Sequence, residues 1–273
     1  MEKPVLMVAF HYPPAQASGT HRALGFSRHL PGFGWRPLVL SANPMAYEHC
    51  DGAQGGVIPT GVPVMRPFAL DAARHLSIRG RYVRALALPD RWSSWLLGAI
   101  PAGIHMIRKY RPKVIWSTYP IATSLLIGRI LSRWSGLPWV VDLRDPMVIG
   151  RHPVDPGIRK LFVGLEARIV DQCDRIVVTT PGLLDLLTQR YPDLSADKWR
   201  VIANGYDEEV FNDPAIVQAM AAHSAPLGKS RILTLLHNGT LYTGHEERSP
   251  AAFLDALIDL KGRGLIGDPG ESG

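Results

Sequence analysis

Cysteine is scarce in this chain. Only Cys50 and Cys173 occur among 273 residues, and no CxxC pair exists. That excludes a disulfide framework and a cysteine-built zinc site, and it fits a reducing cytoplasm. Long apolar runs are missing too. The opening residues MEKPVLMVAF lack the extended apolar core and cleavage site of a secretory signal. The most apolar later stretches, 94–107 and 114–128, contain proline and fall short of the ~20 residues of a membrane span, so no transmembrane helix is expected. No GxSxG or HExxH occurs, the loop after the first apolar run is neither a GxGxxG nor a P-loop, and no two histidines stand at metal spacing with a nearby acid. These absences speak against common hydrolases and metalloproteases, and against a nicotinamide- or ATP-binding first unit. No bound metal is expected.

The bulk numbers are those of a folded chain. Apolar residues make up 46% of it, enough for a real core. Its length suits one large domain or two ordinary ones. The net charge of +6 and a pI near 9.5 permit anionic partners such as nucleotides, phosphorylated lipids, an acidic membrane or nucleic acid. No recognised nucleic-acid-binding motif accompanies the charge, so that partner is not expected.

Short, nearly unbroken apolar runs recur, the pattern of strands buried on both faces. Strands are expected at Val5–Phe10, Arg36–Ser41, Val62–Arg66, Val114–Ser117, Pro138–Leu143, Arg175–Thr179 and Trp199–Ile202. Helices are expected at Thr20–Leu30, Ile121–Trp134, Ile158–Cys173 and Pro181–Tyr191, and through most of 71–111. Alternation of this kind predicts βαβ units in an α/β, doubly wound parallel-sheet, Rossmann-like domain over residues 1–205. A connector follows at 206–229, with one helical piece at Pro214–His223. Residues 230–273, with a strand at Ile232–His237 and a helix at Ala251–Lys261, read as the incomplete start of a second Rossmann-like domain. The 71–111 region carries arginines beside Trp92, Trp95, Leu96 and Leu97. It suits either an anionic membrane surface or a helix pair covering the sheet.

In doubly wound sheets ligands bind at the carboxyl ends of the strands, and four such ends carry candidate residues. After the first strand, HYPPAQASGTHR offers small residues that let a ligand approach: Ser18 and Gly19, then Thr20 as helix N-cap and Arg22 in the first turn. This is an anion site or an ordinary βα loop. After the fourth, Thr118-Tyr119-Pro120 forms a turn that can line a cleft. After the fifth, VVDLRDP brings Asp142, Arg144 and Asp145 together. The carboxylates are candidates for acid–base work or sugar hydroxyls and the arginine for phosphate, or the three form an internal salt bridge. In HNGTLYTG, backbone amides around Gly239 suit phosphate.

Taken in order, HYPPAQASGTHRALGFSRHLPGFGWRPLVLSA, VIWSTYP, GLPWVVDLRDP, LEARIVDQCDRIVVTT, VIANGYD and LLHNGTLYTG resemble glycosyltransferase family four, the GT-B type with two facing Rossmann-like domains. The nearest likeness is to its bacterial polysaccharide-biosynthesis branch. The resemblance implies transfer of a sugar from a nucleotide-sugar donor to a lipid-linked or saccharide acceptor in making exopolysaccharide, capsule or O-antigen. It implies no bound cofactor beyond that co-substrate, and a cytoplasmic location, peripheral at the inner face of the cell membrane. It places Ser18, Gly19, Thr20 and Arg22 at the donor phosphate and acceptor, and Asp142, Arg144 and Asp145 on the acceptor side. Asn204 and Gly205 fall at the turn before the interdomain hinge, and Gly239 beside the donor diphosphate. Thr240 and His245 stand where the family generally has basic residues, and Ala17 replaces a common glycine. The family's late pair of glutamates is absent after residue 205. The expectation is an acceptor-side domain with the opening of a donor domain, a truncated form with little transferase activity alone. The alternative is a non-catalytic module that binds an acceptor, a membrane or a partner chain.

Overall fold

The computed structural model describes residues 2–50, 57–77, 87–206, 208–222 and 249–266. They fall into two compact units, Met1–Asp207 and Glu208–Gly273.

The first unit is built on a seven-stranded, all-parallel sheet. Its strands are β1 (Lys3–Val8), β2 (Trp35–Leu40), β3 (Val64–Met65), β4 (Val114–Thr118), β5 (Trp139–Leu143), β6 (Arg175–Val178) and β7 (Trp199–Val201), in the order β3-β2-β1-β4-β5-β6-β7. All the strands expected in this region are present, and the doubly wound α/β architecture is as expected. The order reverses between β1 and β4, the switch point where such sheets open a crevice.

The helices of this unit are α1 (Ser18–His29), α2 (Ala72–His75), α3 (Trp95–Tyr110), α4 (Ala122–Ser135), α5 (Pro156–Gln172) and α6 (Pro181–Arg190). Their ends follow local chemistry. Asp155 accepts a hydrogen bond from Ile158 N at 2.9 Å and Thr180 one from Leu183 N at 3.1 Å, each followed by proline at the first helical position. The C-terminus of α4 closes on Gly136 at φ 71°, a left-handed conformation that glycine adopts without strain.

The main core lies on one sheet face, where Leu6, Val8, Ile115, Val141 and Ile176 meet Trp95, Leu125 and Leu131. Gly128 lets α4 sit close to the sheet: a Cβ there would stand 2.6 Å from Ser117 Oγ and 2.7 Å from Trp139 Nε1. On the other face Val5, Met7, Val39 and Trp116 pack against Ala23 and Leu24 of α1.

The 71–111 region is helical over most of its described residues, as expected, but not continuously. Among the described residues α2 is one turn, and residues 87–94 run through bends around Pro89 and Asp90 before α3 begins. Nor do its aromatic residues form an exposed face. Trp95 is fully buried, Leu96 packs partly on the core, and the Trp92 ring lies 4.9 Å from Phe10. Leu97 alone of the four is widely exposed. The sheet-covering alternative describes these side chains.

The second unit holds α7 (Glu208–Phe211), α8 (Pro214–Ala222) and α9 (Ala251–Gly262). The expected helices at Pro214–His223 and Ala251–Lys261 correspond to α8 and α9. The expected strand at Ile232–His237, together with Gly239, Thr240 and His245, lies outside the described residues.

Candidate functional site

The carboxyl ends of β1, β4 and β5 converge on a narrow cleft lined by Phe10, His11, Gly19, Thr118, Pro120, Ile121 and Arg144. Helix α1 points its N-terminus at it. Thr20 is not the cap: the helix starts at Ser18, Ala17 holds the cap position, and no side chain bonds the first turn. The reason is that Thr20 Oγ1 is turned inward and donates to the carbonyl of Ala15 at 2.9 Å. No acidic residue stands in that turn. The first amides of α1 are therefore free of an internal anion, and the helix dipole favours an external one. Helix α4 differs, because the half-buried Asp90 carboxylate already accepts from Thr123 N at 2.7 Å and Thr123 Oγ1 at 2.8 Å.

Gly19 sets how closely the walls meet. A Cβ on it would stand 2.9 Å from His11 Nδ1 and 3.0 Å from a terminal nitrogen of Arg144. Only hydrogen at that position leaves both side chains where they are. Arg144 Nε donates to the carbonyl of Tyr119 at 2.5 Å, and Nη1 to that of Gly19 at 3.4 Å. Its second terminal nitrogen is the cationic group of the cleft. Burial pulls the Arg144 pKa down, and the nearby carboxylates of Asp142 and Asp145 oppose that. His11 is held at about 4, first by burial and then by the Arg144 charge, so it is neutral at pH 7.

The other candidates are arranged differently. Arg22 clamps three chain segments. Its Nε reaches both oxygens of Asp142 at 3.1 and 3.0 Å, and Nη2 reaches Oδ1 at 2.8 Å. Nη2 also donates to Ile202 O at 3.0 Å, and Nη1 to Ala203 O at 3.1 Å and Asn204 Oδ1 at 3.2 Å. Every guanidinium nitrogen is engaged, so none is left over for a phosphate. Asp142 is fully buried, and its Oδ2 also accepts from Thr118 Oγ1 at 2.8 Å. Of the readings open for Asp142, an internal salt bridge is what the geometry displays. Asp145 is exposed beside the cleft. The ring of Tyr119 turns into the main core, where burial raises its pKa; its carbonyl, not its side chain, serves the cleft by holding Arg144. Ser18 is exposed at the start of α1, and Asn204 and Gly205 are exposed beyond β7. The structure thus brings Gly19 and Arg144 together and puts Arg22, Asp142 and Asn204 in a neighbouring clamp.

His11 was not singled out by sequence reasoning. The signal was present: it is the first polar residue after a buried strand, at the strand end where ligands bind. The loop carrying Arg144 is fixed from behind by buried Glu166. That carboxylate accepts from Met147 N and Tyr191 OH, each at 2.9 Å, and pairs with Arg190. Among the described residues no group of three or more His, Cys, Asp or Glu side chains is placed to hold a metal ion.

A family model described as a glycosyl transferase 4-like domain matches residues 18–205, well over half the chain, and includes the clamp and all of the cleft's lining residues but Phe10 and His11. The chain belongs to this glycosyl transferase 4-like family. Among solved structures it is similar to sucrose-phosphate synthase from Thermosynechococcus elongatus, with a TM-score of 0.54 and 17% identity over 83% of this chain and 54% of that one. That likeness concerns the fold. HepE from Anabaena, solved with UDP and glucose, matches with a TM-score of 0.45 and 14% identity over 81% of this chain and 50% of that one, too loose to carry an argument. The glycosyl transferase 4-like chain described here therefore spans about half the length of these solved structures. No curated protein matches it by sequence.

Proposed function

We propose that this chain is the acceptor-side part of a glycosyltransferase that uses a nucleotide sugar and serves polysaccharide assembly at the cytoplasmic face of a membrane. The observation that carries the reading is the meeting of an uncapped helix N-terminus, a cationic Arg144 and a neutral His11 in one cleft at the sheet's switch point. Transfer requires the acceptor oxygen to bond the anomeric carbon while the bond to the diphosphate breaks and its electron pair leaves with the phosphate. Charge then develops on the leaving group, and helix amides and a guanidinium suit it without a resident metal. His11 is in the state that accepts a proton or a hydrogen bond from an acceptor hydroxyl. The acceptor of this reading is a saccharide carried on a lipid.

Calorimetry tests this with nucleoside diphosphates, UDP-, GDP- and dTDP-sugars, and lipid-diphosphate saccharides. Saturable binding of at least one acceptor or donor class is expected, weakened tenfold or more by Arg144→Gln, because an Arg–phosphate pair is a strong charge-assisted contact. No saturable binding of any of them, or equal binding by Arg144→Gln, overturns the reading.

A further inference from the structure

Residues 3–47 and 91–141 contain no aspartate or glutamate at all. In the fold they supply α1, α3, α4 and most of the neighbouring half of the sheet, and six of their cations gather at its amino-terminal edge, opposite the cleft. Lys3 opens β1 and Arg36 lies at the start of β2. Arg108 and Lys109 end α3, Arg111 is its C-cap, and Lys113 precedes β4. All six are exposed, and among the described residues none is paired with a carboxylate.

The patch is contiguous, and aromatic rings lie under it. Lys3 Nζ stands 5.7 Å from the ring centre of Trp35. Arg36 and Lys109 share the Tyr110 ring at 5.9 and 5.1 Å, and Arg108 lies 5.4 Å from Trp134. Lys113 N bonds the carbonyl of Pro4 at 2.8 Å, which brings its end of β4 against β1. Trp134 is 47% exposed and Phe33, at the same edge, 80%. Helix dipoles account for cations in the last turns of α3 and α4. They do not account for Lys3, Arg36 and Lys113, which belong to strand ends. Uncompensated like charge repels itself, and against that repulsion the edge sets only helix ends and ring faces, with no carboxylate.

We infer that this edge docks on an anionic phospholipid bilayer. Rings at headgroup depth with cations above them match the chemistry of such an interface. The edge presents strand starts and helix C-termini, with no helix or ribbon shaped to enter a nucleic-acid groove. Six residues of β1, at about 3.3 Å each, separate the patch from the cleft by about 20 Å. If the proposed reaction is correct, the docked chain meets the distal, sugar end of its lipid-linked acceptor; the docking itself does not depend on that reaction.

Cosedimentation with phosphatidylcholine vesicles, with and without phosphatidylserine, tests the proposal. Binding is expected only to the anionic vesicles, and to be lost at high salt. Each cation near such a surface contributes about fivefold in partitioning, so Lys109→Ser, Arg111→Asn and Lys113→Ser combined lower it roughly a hundredfold. A control triple at the opposite, carboxyl-end side, Arg151→Ser, Arg159→Ser and Lys160→Ser, around the start of α5, removes equal charge and is expected to retain most binding. Circular dichroism confirms that both triples fold, and Lys109→Arg with Lys113→Arg is expected to bind like the parent. Parent-like binding by the first triple, equal loss in both triples, or absence of binding to anionic vesicles at low salt overturns the inference. So does duplex DNA that binds as tightly as the vesicles and strips the protein from them, which makes the patch a nucleic-acid surface.

Discussion

Removing Asp142 from the Arg22 clamp is the perturbation whose cost can be worked most fully from the structure. The pair is deeply buried, with side-chain exposures of 7% for Arg22 and 0% for Asp142. In Asp142→Ala the guanidinium keeps its bonds to the carbonyls of Ile202 and Ala203 but loses its counter-charge. Breaking a buried pair from one side costs about 3–5 kcal/mol, and the surviving carbonyl contacts put this case near about 3 kcal/mol. With a urea slope of about 2 kcal/mol per molar, the midpoint falls by roughly 1.5 M. Arg22→Met is expected to cost a similar amount, leaving a buried carboxylate with the Thr118 hydroxyl and the more distant Arg144 charge. The double variant is expected to cost well under the sum, because neither charge is then orphaned. Urea unfolding followed by far-ultraviolet circular dichroism measures all three. A loss under about 1 kcal/mol for Asp142→Ala, or additive single losses, would refute the clamp.

Other outcomes follow from the same geometry. His11 has a folded pKa near 4 against an ordinary 6.5, so its neutral form contributes stability that is present above pH 6.5 and lost as pH falls toward 4. At about 1.4 kcal/mol per unit this amounts to at most about 3.5 kcal/mol, and His11→Gln is expected to flatten the profile in that window when unfolding is followed against pH. Gly19→Ala gains helix propensity of under about 1 kcal/mol yet pushes His11 and Arg144 apart, so thermal unfolding should hardly move while calorimetric ligand binding drops tenfold or more. Glu166→Leu orphans Arg190 and the Met147 amide, with an expected loss of about 2–4 kcal/mol and faster hydrogen exchange at Met147.

Much of the fold was legible because its signals are local. Short apolar runs such as VLMVAF and the IVV after Arg175 leave few alternatives to buried parallel strands, and TTPG and VDPG mark helix starts by their capping chemistry. The break within 71–111 was not legible, because arginine and leucine favour helix everywhere, while Pro89 and the half-buried Asp90, which interrupt it and cap α4, act through a partner distant in sequence. The site was legible as a set of strand ends and less so in its roles. Arg22 and Arg144 look alike in sequence. Their difference is set by Asp142 and the carbonyls after β7, which are 120 or more residues from Arg22. Thr20 looks like a cap, but Ala15 O lies within its reach. Tyr119 faces the core because its neighbours Thr118 and Pro120 take the cleft side.

The central claim is that Gly19, His11 and Arg144 form one anion-binding cleft. The most direct measurement is a nitrogen-15 NMR titration of the chain with nucleoside diphosphates, nucleotide sugars and lipid-diphosphate saccharides, observing the backbone amides of Ser18 and Gly19, the imidazole of His11 and Nε of Arg144. The account predicts that one ligand class shifts these resonances together, with a common saturation curve, and leaves Arg22 Nε in place. Shifts confined to other parts of the domain, or shifts of Arg22 without Arg144, would contradict it.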